Sequence, residues 1–320
     1  LEASLAQARK LTLLEVAGLR VSTPQGDILQ GVDLEIGQGE VLGLFGESGC
    51  GKSTLGLAII GLLGSGRFLS AGRVAFEGIE IAAFDLDATA SLRGTRIGYI
   101  PQDPFGSFDP LRRVGEQIAR PLRVHLQMDP RDARRRVLEL MAALGVPDPP
   151  STARRFPHEL SGGMLQRAVI AAALSCRPAL VIADEPTTAL DVVVEAQVVE
   201  AFTRLVREME ASLLLITHDL GLLARIADRL AAMYAGSIVE EGPTEAVTTT
   251  PHHPYVAALV ANAISIRSVE GRLPAIEGQP PSLPASFDAC CFAPRCPRAD
   301  DQCRASVPPL ESGYACFHPL

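Results

Sequence analysis

The sequence predicts an α/β fold: a parallel sheet covered by helices, a helical insert within it, and a small cysteine-containing extension behind it. Three observations carry this prediction. Residues 179–183 and 212–217 are short and almost wholly apolar, as strands buried on both faces are. Helical periodicity follows each of them, and alternation of strand and helix marks a parallel sheet. A glycine-rich turn joins the apolar run 41–45 to an apolar helical stretch, a strand–loop–helix unit of the same kind.

The elements follow in order. Residues 13–19, 32–36 and 41–45 read as strands between Gly and Pro turns, 53–63 as a helix, and 73–76 and 96–100 as further strands. From about 105 to 175 the pattern becomes helical. Over 130–144, Val137, Leu140, Met141 and Leu144 fall on one helical face. Pro147, Pro149 and Pro150 end that element, and another helix opens near Ser161. A helix from about Asp191 places Val198, Phe202, Leu205, Val206 and Met209 on one face. The helix 220–230 comes next, then a hairpin over 231–241 that turns at Ala235-Gly236. After Gly242, Pro, Ser and Cys become more frequent and the periodicity fades. The expected organisation is one domain over 1–245 and an extension over 246–320, with no internal repeat.

Composition narrows the function. At 320 residues, with 47% hydrophobic and 21% charged residues, the chain can bury a large core without disulfides. Trp is absent and aromatic residues make up 5%, so the core rests on Ala, Leu, Val and Ile. A formal net charge of -8 argues against binding nucleic acid by bulk charge, which needs clustered Lys and Arg. The richest basic stretch, 131–136, reads as a solvated helix face. Leu1 points to a processed or truncated start, and no signal peptide is visible. The longest apolar stretch, 168–183, is broken by Arg177 and Pro178 and falls short of the roughly 18 apolar residues of a membrane span. Service to a membrane process would require docking on a separate subunit.

Two motifs carry chemistry. Gly46-Glu47-Ser48-Gly49-Cys50-Gly51-Lys52-Ser53 fits G-x-x-x-x-G-K-[ST], between a strand and a helix that continues through Thr54. Its glycines let backbone N–H groups wrap phosphate oxygens, and the helix N-terminus favours anions. Lys52 can reach the β and γ phosphates and Ser53 can supply an oxygen to Mg2+. Cys50 reads as a small loop residue. Asp184 and Glu185 end the apolar run that begins at Leu180. Such an Asp suits the shell of Mg2+ opposite Ser53, and Glu185 can polarise an attacking water.

Further residues narrow the family. Leu160-Ser161-Gly162-Gly163-Met164-Leu165-Gln166-Arg167 resembles the signature motif of ABC ATPases, and lies ahead of Asp184-Glu185 at that family's usual distance. Gln102 matches the family's Q-loop, Ala189-Leu190-Asp191 its D-loop and His218 its switch histidine, all in the family's order. The resemblance implies a P-loop NTPase fold of ABC ATPase type and an ATPase that uses ATP and Mg2+. In that family two such domains clamp two ATP molecules head to tail. Ser161 with the Gly162-Gly163 backbone would meet the partner's γ-phosphate, and His218 would contact γ-phosphate and hold Glu185 and water in line. Gln102 would touch Mg2+ or water and relay occupancy, and Asp191 would communicate across the dimer. The sequence departs from the family in two places. Residues 19–24 hold no aromatic side chain to stack adenine, and Leu165 stands where close relatives commonly carry Arg.

Seven cysteines are present, five of them in the last 31 residues. Without a secretion signal, a metal or cluster reading is favoured over disulfides. Cys290, Cys296, Cys303 and Cys316 are separated by five, six and twelve residues, unlike the C-x-x-C pairs of zinc fingers. Spacing alone leaves zinc and iron–sulfur open. The stretches Gly278-Gln279-Pro280-Pro281-Ser282-Leu283, Cys290-Cys291-Phe292-Ala293-Pro294-Arg295-Cys296-Pro297 and His253-Pro254-Tyr255 resemble the C-terminal extension of dipeptide and oligopeptide importer ATPases. That resemblance implies a four-iron, four-sulfur (4Fe-4S) cluster on Cys290, Cys296, Cys303 and Cys316, with Cys291 free or replacing Cys290. It also implies import of peptides, with nickel importers sharing this ATPase type. The implied partners are transmembrane permease subunits, a second ATPase subunit (the same or a paralogue) and, indirectly, an extracytoplasmic substrate-binding protein. The implied location is peripheral, at the cytoplasmic face of the inner membrane. A soluble ABC ATPase acting on nucleic acid or ribosomes is the competing class. One phosphate loop and the lack of a long heptad run speak against it.

Overall fold

A computed structural model describes residues 11–81, 90–187, 192–265 and 276–320. Among these residues two sheets form. Strands β3 (Val41–Phe45), β6 (Ile97–Ile100), β7 (Leu180–Asp184), β8 (Ser212–Ile216), β9 (Arg229–Tyr234) and β10 (Ser237–Pro243) make one sheet in the order β10-β9-β3-β8-β7-β6. All its pairings are parallel except the β9–β10 hairpin. Every residue of β3, β7 and β8 is buried, as the apolar runs require. The other sheet is antiparallel, with the order β2-β1-β4-β5, from β1 (Thr12–Thr23), β2 (Gly26–Gly37), β4 (Phe68–Phe76) and β5 (Ile79–Glu80).

The parallel sheet separates two cores. On one face, Leu42 and Leu44 of β3 join Leu55 and Ile59 of helix Lys52–Ile59 and Val16, Leu34 and Ile36 of the antiparallel sheet. That helix is thus held between the two sheets. On the other face, Val41, Phe45, Val181 and Leu215 meet the helical insert and the helices Val192–Glu208 and Leu220–Ile226. The insert comprises Val114–His125, Pro130–Ala143, Pro149–Thr152 and Gly162–Leu174. Val137, Leu140, Met141 and Leu144 are all buried, as their spacing predicts.

Several elements differ from the sequence expectation. The helix expected over 53–63 stops at Ile59, because Gly61 turns left-handed at φ +66° and the Leu62 N–H returns to the Leu57 carbonyl. The helix expected over 220–230 ends at Ile226, since residues from Arg229 onward pair in parallel with β3. The fading periodicity after Gly242 conceals two helices, Thr244–Thr249 and Pro254–Ser265. The second helix is apolar almost throughout, with Asn262 and Ser265 its clearly polar residues, so no single face stands out in sequence; Tyr255 and Val256 are fully buried.

The C-terminal residues share the main core. Val247, Tyr255, Val256, Val260 and Phe292 lie in the same buried cluster as Phe45. Phe292 packs edge-on to Tyr234 at 5.2 Å and against Tyr255 at 5.5 Å. His253, 2% exposed, caps the helix Pro254–Ser265: its Nδ1 accepts from the Tyr255 N–H at 3.1 Å. Burial pushes its imidazole down to about 4, so it stays neutral and able to accept.

A pH dependence follows. The folded value lies below the unfolded one, so the unfolded chain takes up the proton first and stability falls with pH. The loss begins near pH 6.5 and is complete a little below about 4, and amounts to about 3 kcal/mol. Urea unfolding between pH 7.5 and 4 is expected to show this acid limb, and His253→Asn, which keeps an acceptor but cannot titrate, is expected to flatten it.

Candidate functional site: the carboxyl ends of four parallel strands

The phosphate-binding candidate leaves β3 at Gly46 and enters the helix Lys52–Ile59. Two glycines have no substitute there. Gly46 sits at φ +152°, and a Cβ on it would stand 2.2 Å from the Met233 carbonyl oxygen. Gly51 is the helix cap at φ +110°. Ser48 and Gly49 are exposed at the loop tip, and Thr54 is buried behind it. Lys52 donates to the carbonyl oxygens of Gly46 and Glu47, both at 2.9 Å, so its ammonium lies along the loop. Burial pushes the Cys50 thiol up despite Lys52 nearby, which keeps it protonated and in keeping with a filling role.

Strand β7 ends beside this loop. Ser53 Oγ donates to Asp184 Oδ1 at 3.0 Å, and Tyr99 Oη donates to Asp184 Oδ2 at 3.2 Å. Asp184 is only 3% exposed. Desolvation raises its pKa, while the two hydroxyl donors act in the opposite direction. Burial, with the Asp184 contact adding to it, pushes the Tyr99 phenol up, so Tyr99 remains a donor. Ser53 and Asp184 therefore present two oxygens side by side, the hard donor set that suits Mg2+.

The next residue carries the other carboxylate. Glu185 adopts the left-handed conformation at φ +45°, uncommon for a side chain of this size. Its N–H is anchored by the Ile216 carbonyl at 2.8 Å. Gln102 Nε2 donates to one carboxylate oxygen at 3.1 Å, and His218 Nδ1 lies 3.6 Å from the other. Gln102 follows β6, Glu185 follows β7, His218 follows β8 and the glycine loop follows β3. Open α/β sheets bind ligands at this strand end.

Other expected residues stand apart. Ser161 caps the helix Gly162–Leu174 by accepting from the Met164 N–H at 3.3 Å. It is exposed, and Gly162 and Gly163 are half-buried, so this helix N-terminus faces outward. Leu165 is fully buried among the insert's apolar residues and serves packing rather than a phosphate edge. Asp191 lies outside the described residues.

Cys290, Cys296, Cys303 and Cys316 line one small cavity with His253, Phe292 and His318. Cys291 lines a separate cavity against β2 and β10, which Cys290 borders as well. All seven cysteines are free thiols. Burial pushes Cys290, Cys303 and Cys316 up, and neighbouring thiols add to the effect. Among the described residues, the ligand atoms that gather within 4.8 Å of one another are those of Asp300, Cys303 and His318, a looser set than the four-thiol expectation.

Sequence reasoning missed two parts of this site. Tyr99 reads as one residue of a short strand, and only the β6–β7 register, Tyr99 opposite Ile182, brings its hydroxyl to Asp184. Arg295, which contacts Glu47, is 248 residues away in the chain, and no local pattern marks the pair.

A strand–glycine loop–helix unit beside a carboxylate-tipped parallel strand is the architecture of the P-loop nucleoside triphosphatases. Within that class the chain belongs to the ABC transporter family, whose profile matches residues 29–188. A second profile, the C-terminal region of oligopeptide/dipeptide transporters, matches residues 239–303. The chain is 42% identical over 326 residues to the oligopeptide transport ATP-binding protein OppD of Escherichia coli, covering 99% of this chain and 96% of that one. It is 42% identical over 279 residues to the dipeptide transport ATP-binding protein DppD of Haemophilus influenzae, covering 87% and 84%. Among solved structures it resembles the dimeric ATP-binding cassette MJ0796 in a post-hydrolysis state bound to ADP and Pi. There the TM-score is 0.65 and the identity 28%, over 72% of this chain and 99% of that one.

Tyr99→Phe removes one donor to the Asp184 carboxylate and is expected to raise its pKa further. The acid edge of Mg2+-dependent nucleotide binding should then move to higher pH. Titration of binding from pH 4 to 8 reads the shift directly, and an unmoved edge would remove Tyr99 from the site.

Proposed function

We propose that the chain is the ATP-hydrolysing subunit of an importer of di- or oligopeptides. The observation that carries the reading is the meeting of Gln102, Glu185 and His218 beside the Ser53–Asp184 pair, at the mouth of the glycine loop. The loop's N–H groups and Lys52 grip the triphosphate, and Ser53 with Asp184 would hold Mg2+. When bound, that ion neutralises charge on the β and γ phosphates. Glu185 accepts a proton from water as the water oxygen attacks the γ-phosphorus and the bond to the β-bridging oxygen breaks. Gln102 and His218 hold the Glu185 oxygens in place. Catalysis here is positioning plus electrostatics.

The outward N-terminus at Ser161, Gly162 and Gly163 is read as the surface that meets the γ-phosphate held by a second ATPase subunit, and Asp191 as a residue of the same interface. An anion at a helix N-terminus is favoured by its free N–H groups and dipole. Among the described residues no helix is long and apolar enough to cross a membrane, so permease subunits must supply the channel. The cytoplasmic membrane face follows from access to ATP, and contact with a substrate-binding protein is indirect. The peptide cargo rests on the relatives' names and on the C-terminal region shared with oligopeptide and dipeptide transporters. Residues 1–245 are read as the nucleotide-binding domain and 246–320 as its importer-type extension. Nucleic acid has no role in this reading.

The four cysteines around one cavity are read as ligands of a metal centre, a 4Fe-4S cluster in keeping with the family's extension. Burial raises the pKa of Cys290, Cys303 and Cys316, so binding through these thiols must displace protons.

Three experiments test these readings. Glu185→Gln is expected to lower the hydrolysis rate about 10²- to 10⁴-fold while MgATP still binds and holds two subunits together; unchanged turnover would sink the assigned role. In the complex purified with its permeases, peptide uptake into vesicles should require ATP and fail with the same variant. For the cysteines, Cys303→Ser should cut bound iron and visible absorbance in anaerobically purified protein. Stoichiometric zinc in the wild type would replace the cluster reading, and unaltered iron in the variant would refute Cys303 as a ligand.

A further inference from the structure

The first turn of the phosphate loop is held from the far end of the chain. Glu47, its second residue, is engaged through three groups. Its N–H donates to Tyr255 Oη at 2.8 Å, and its carbonyl accepts from Lys52 at 2.9 Å. Its carboxylate receives both terminal nitrogens of Arg295, at 2.6 and 2.9 Å. Arg295 is in turn fixed on every side. Its guanidinium donates to Tyr234 Oη at 3.2 Å and to the carbonyls of Glu277 and Ile276 at 3.1 and 3.4 Å. Its side chain is 4% exposed, against 24% for Glu47. Arg295 ends the short turn Ala293–Arg295, between Cys290 and Cys296, and the neighbouring Phe292 wedges against Tyr234 and Tyr255.

A bidentate Arg–carboxylate pair fixes orientation as well as distance. The shielding of this one from water makes it more than a surface ion pair. Its position gives it two effects on the loop. It holds the Glu47 peptide, whose neighbours must turn their N–H groups toward phosphate. It also neutralises a carboxylate that would otherwise stand as a bare anion beside the site of a triphosphate.

We propose that Arg295 is a positioning residue for ATP: by pairing with Glu47 it keeps the phosphate loop in its nucleotide-accepting shape and charge, so that nucleotide affinity depends on the cysteine-bearing segment. This deepens the reading of the loop as the ATP site and rests on it.

The test uses the full chain and measures MgATP affinity, KM and kcat for the wild type, Arg295→Ala, Arg295→Lys, Glu47→Gln and the double variant Glu47→Gln/Arg295→Ala. Arg295→Ala should weaken MgATP binding and raise KM about tenfold or more, the size of a substantial coupling between sites. It should change kcat by less than about threefold, since Arg295 does not touch the reacting atoms. Arg295→Lys, which keeps the charge but loses the fork, should fall between the wild type and Arg295→Ala. Adding Glu47→Gln to Arg295→Ala should restore much of the affinity, because the exposed anion is then gone; a role in general stability alone would not produce that rescue. If Arg295→Ala does not fold, Arg295→Lys and Glu47→Gln carry the test. Wild-type affinity in Arg295→Lys and Arg295→Ala, or strictly additive effects in the double variant, would overturn the proposal. Failure of the wild type itself to bind MgATP would overturn the ATP-site reading, and this proposal with it.

Discussion

The parallel register of β3, β8, β7 and β6 is the constraint from which the site follows. Each strand ends at the same edge, so the residues that leave them arrive together: Gly46 after β3, His218 after β8, Asp184 and Glu185 at β7, Gln102 after β6. Strand side chains alternate between faces, so a slip of one residue would turn Asp184 away from Ser53 and bring its neighbour inward. The register is in turn enforced by burial. Both faces of β3, β7 and β8 are covered, and any slip would strand apolar side chains against the wrong core. The site's geometry is thus set by the hydrophobic effect acting on residues that do no chemistry.

The electrostatics work within that frame. Asp184 is held almost out of water, which disfavours its charge, and the hydroxyls of Ser53 and Tyr99 offset part of that cost. A buried carboxylate with two donors and spare lone pairs is poised for a cation, which would restore what burial removes. Glu185 is treated differently. It is less buried, its backbone takes an unfavourable conformation, and Gln102 and His218, just beyond two other strands, flank its carboxylate. Strain of this kind persists only where the surroundings over-determine it, and here the anchor is the Ile216 carbonyl of the neighbouring strand. Two adjacent carboxylates are thereby given separate tasks by environment, one facing the loop serine and one facing solvent beside Gln102 and His218.

Much of this was legible in the sequence because it is local. The glycine loop, the apolar run ending at Asp184-Glu185, the Ser161 cap and the Val137–Leu140–Met141 face each depend on residues within a few positions of one another. The ends of elements were less legible. Helix 220–226 and β9 form one apolar stretch in sequence, and only pairing with β3 separates them. The partition of the early strands into a second, antiparallel sheet depends on β1 lying between β2 and β4, which no short-range pattern encodes. Tyr99 and Arg295 escaped for the same reason: their partners are far away in the chain.

The extension is the part whose meaning changes most once contacts are known. By composition it is a tail, rich in Pro and Cys and poor in periodicity. Physically it completes the main core, since Tyr255, Val256 and Phe292 are as buried as the residues of the central strands. A segment docked this way cannot move independently of what it covers, because opening it exposes three large apolar side chains. The helix that carries Tyr255 is capped by a neutral His253, and Tyr255 reaches the backbone of Glu47. The cysteines lie on the same segment as Phe292 and Arg295. Arg295, which holds the phosphate loop, directly precedes Cys296, and Phe292, which lines the cysteine cavity, packs against Tyr255, so whatever orders those thiols acts on the loop through adjacent contacts and needs no long-range pathway.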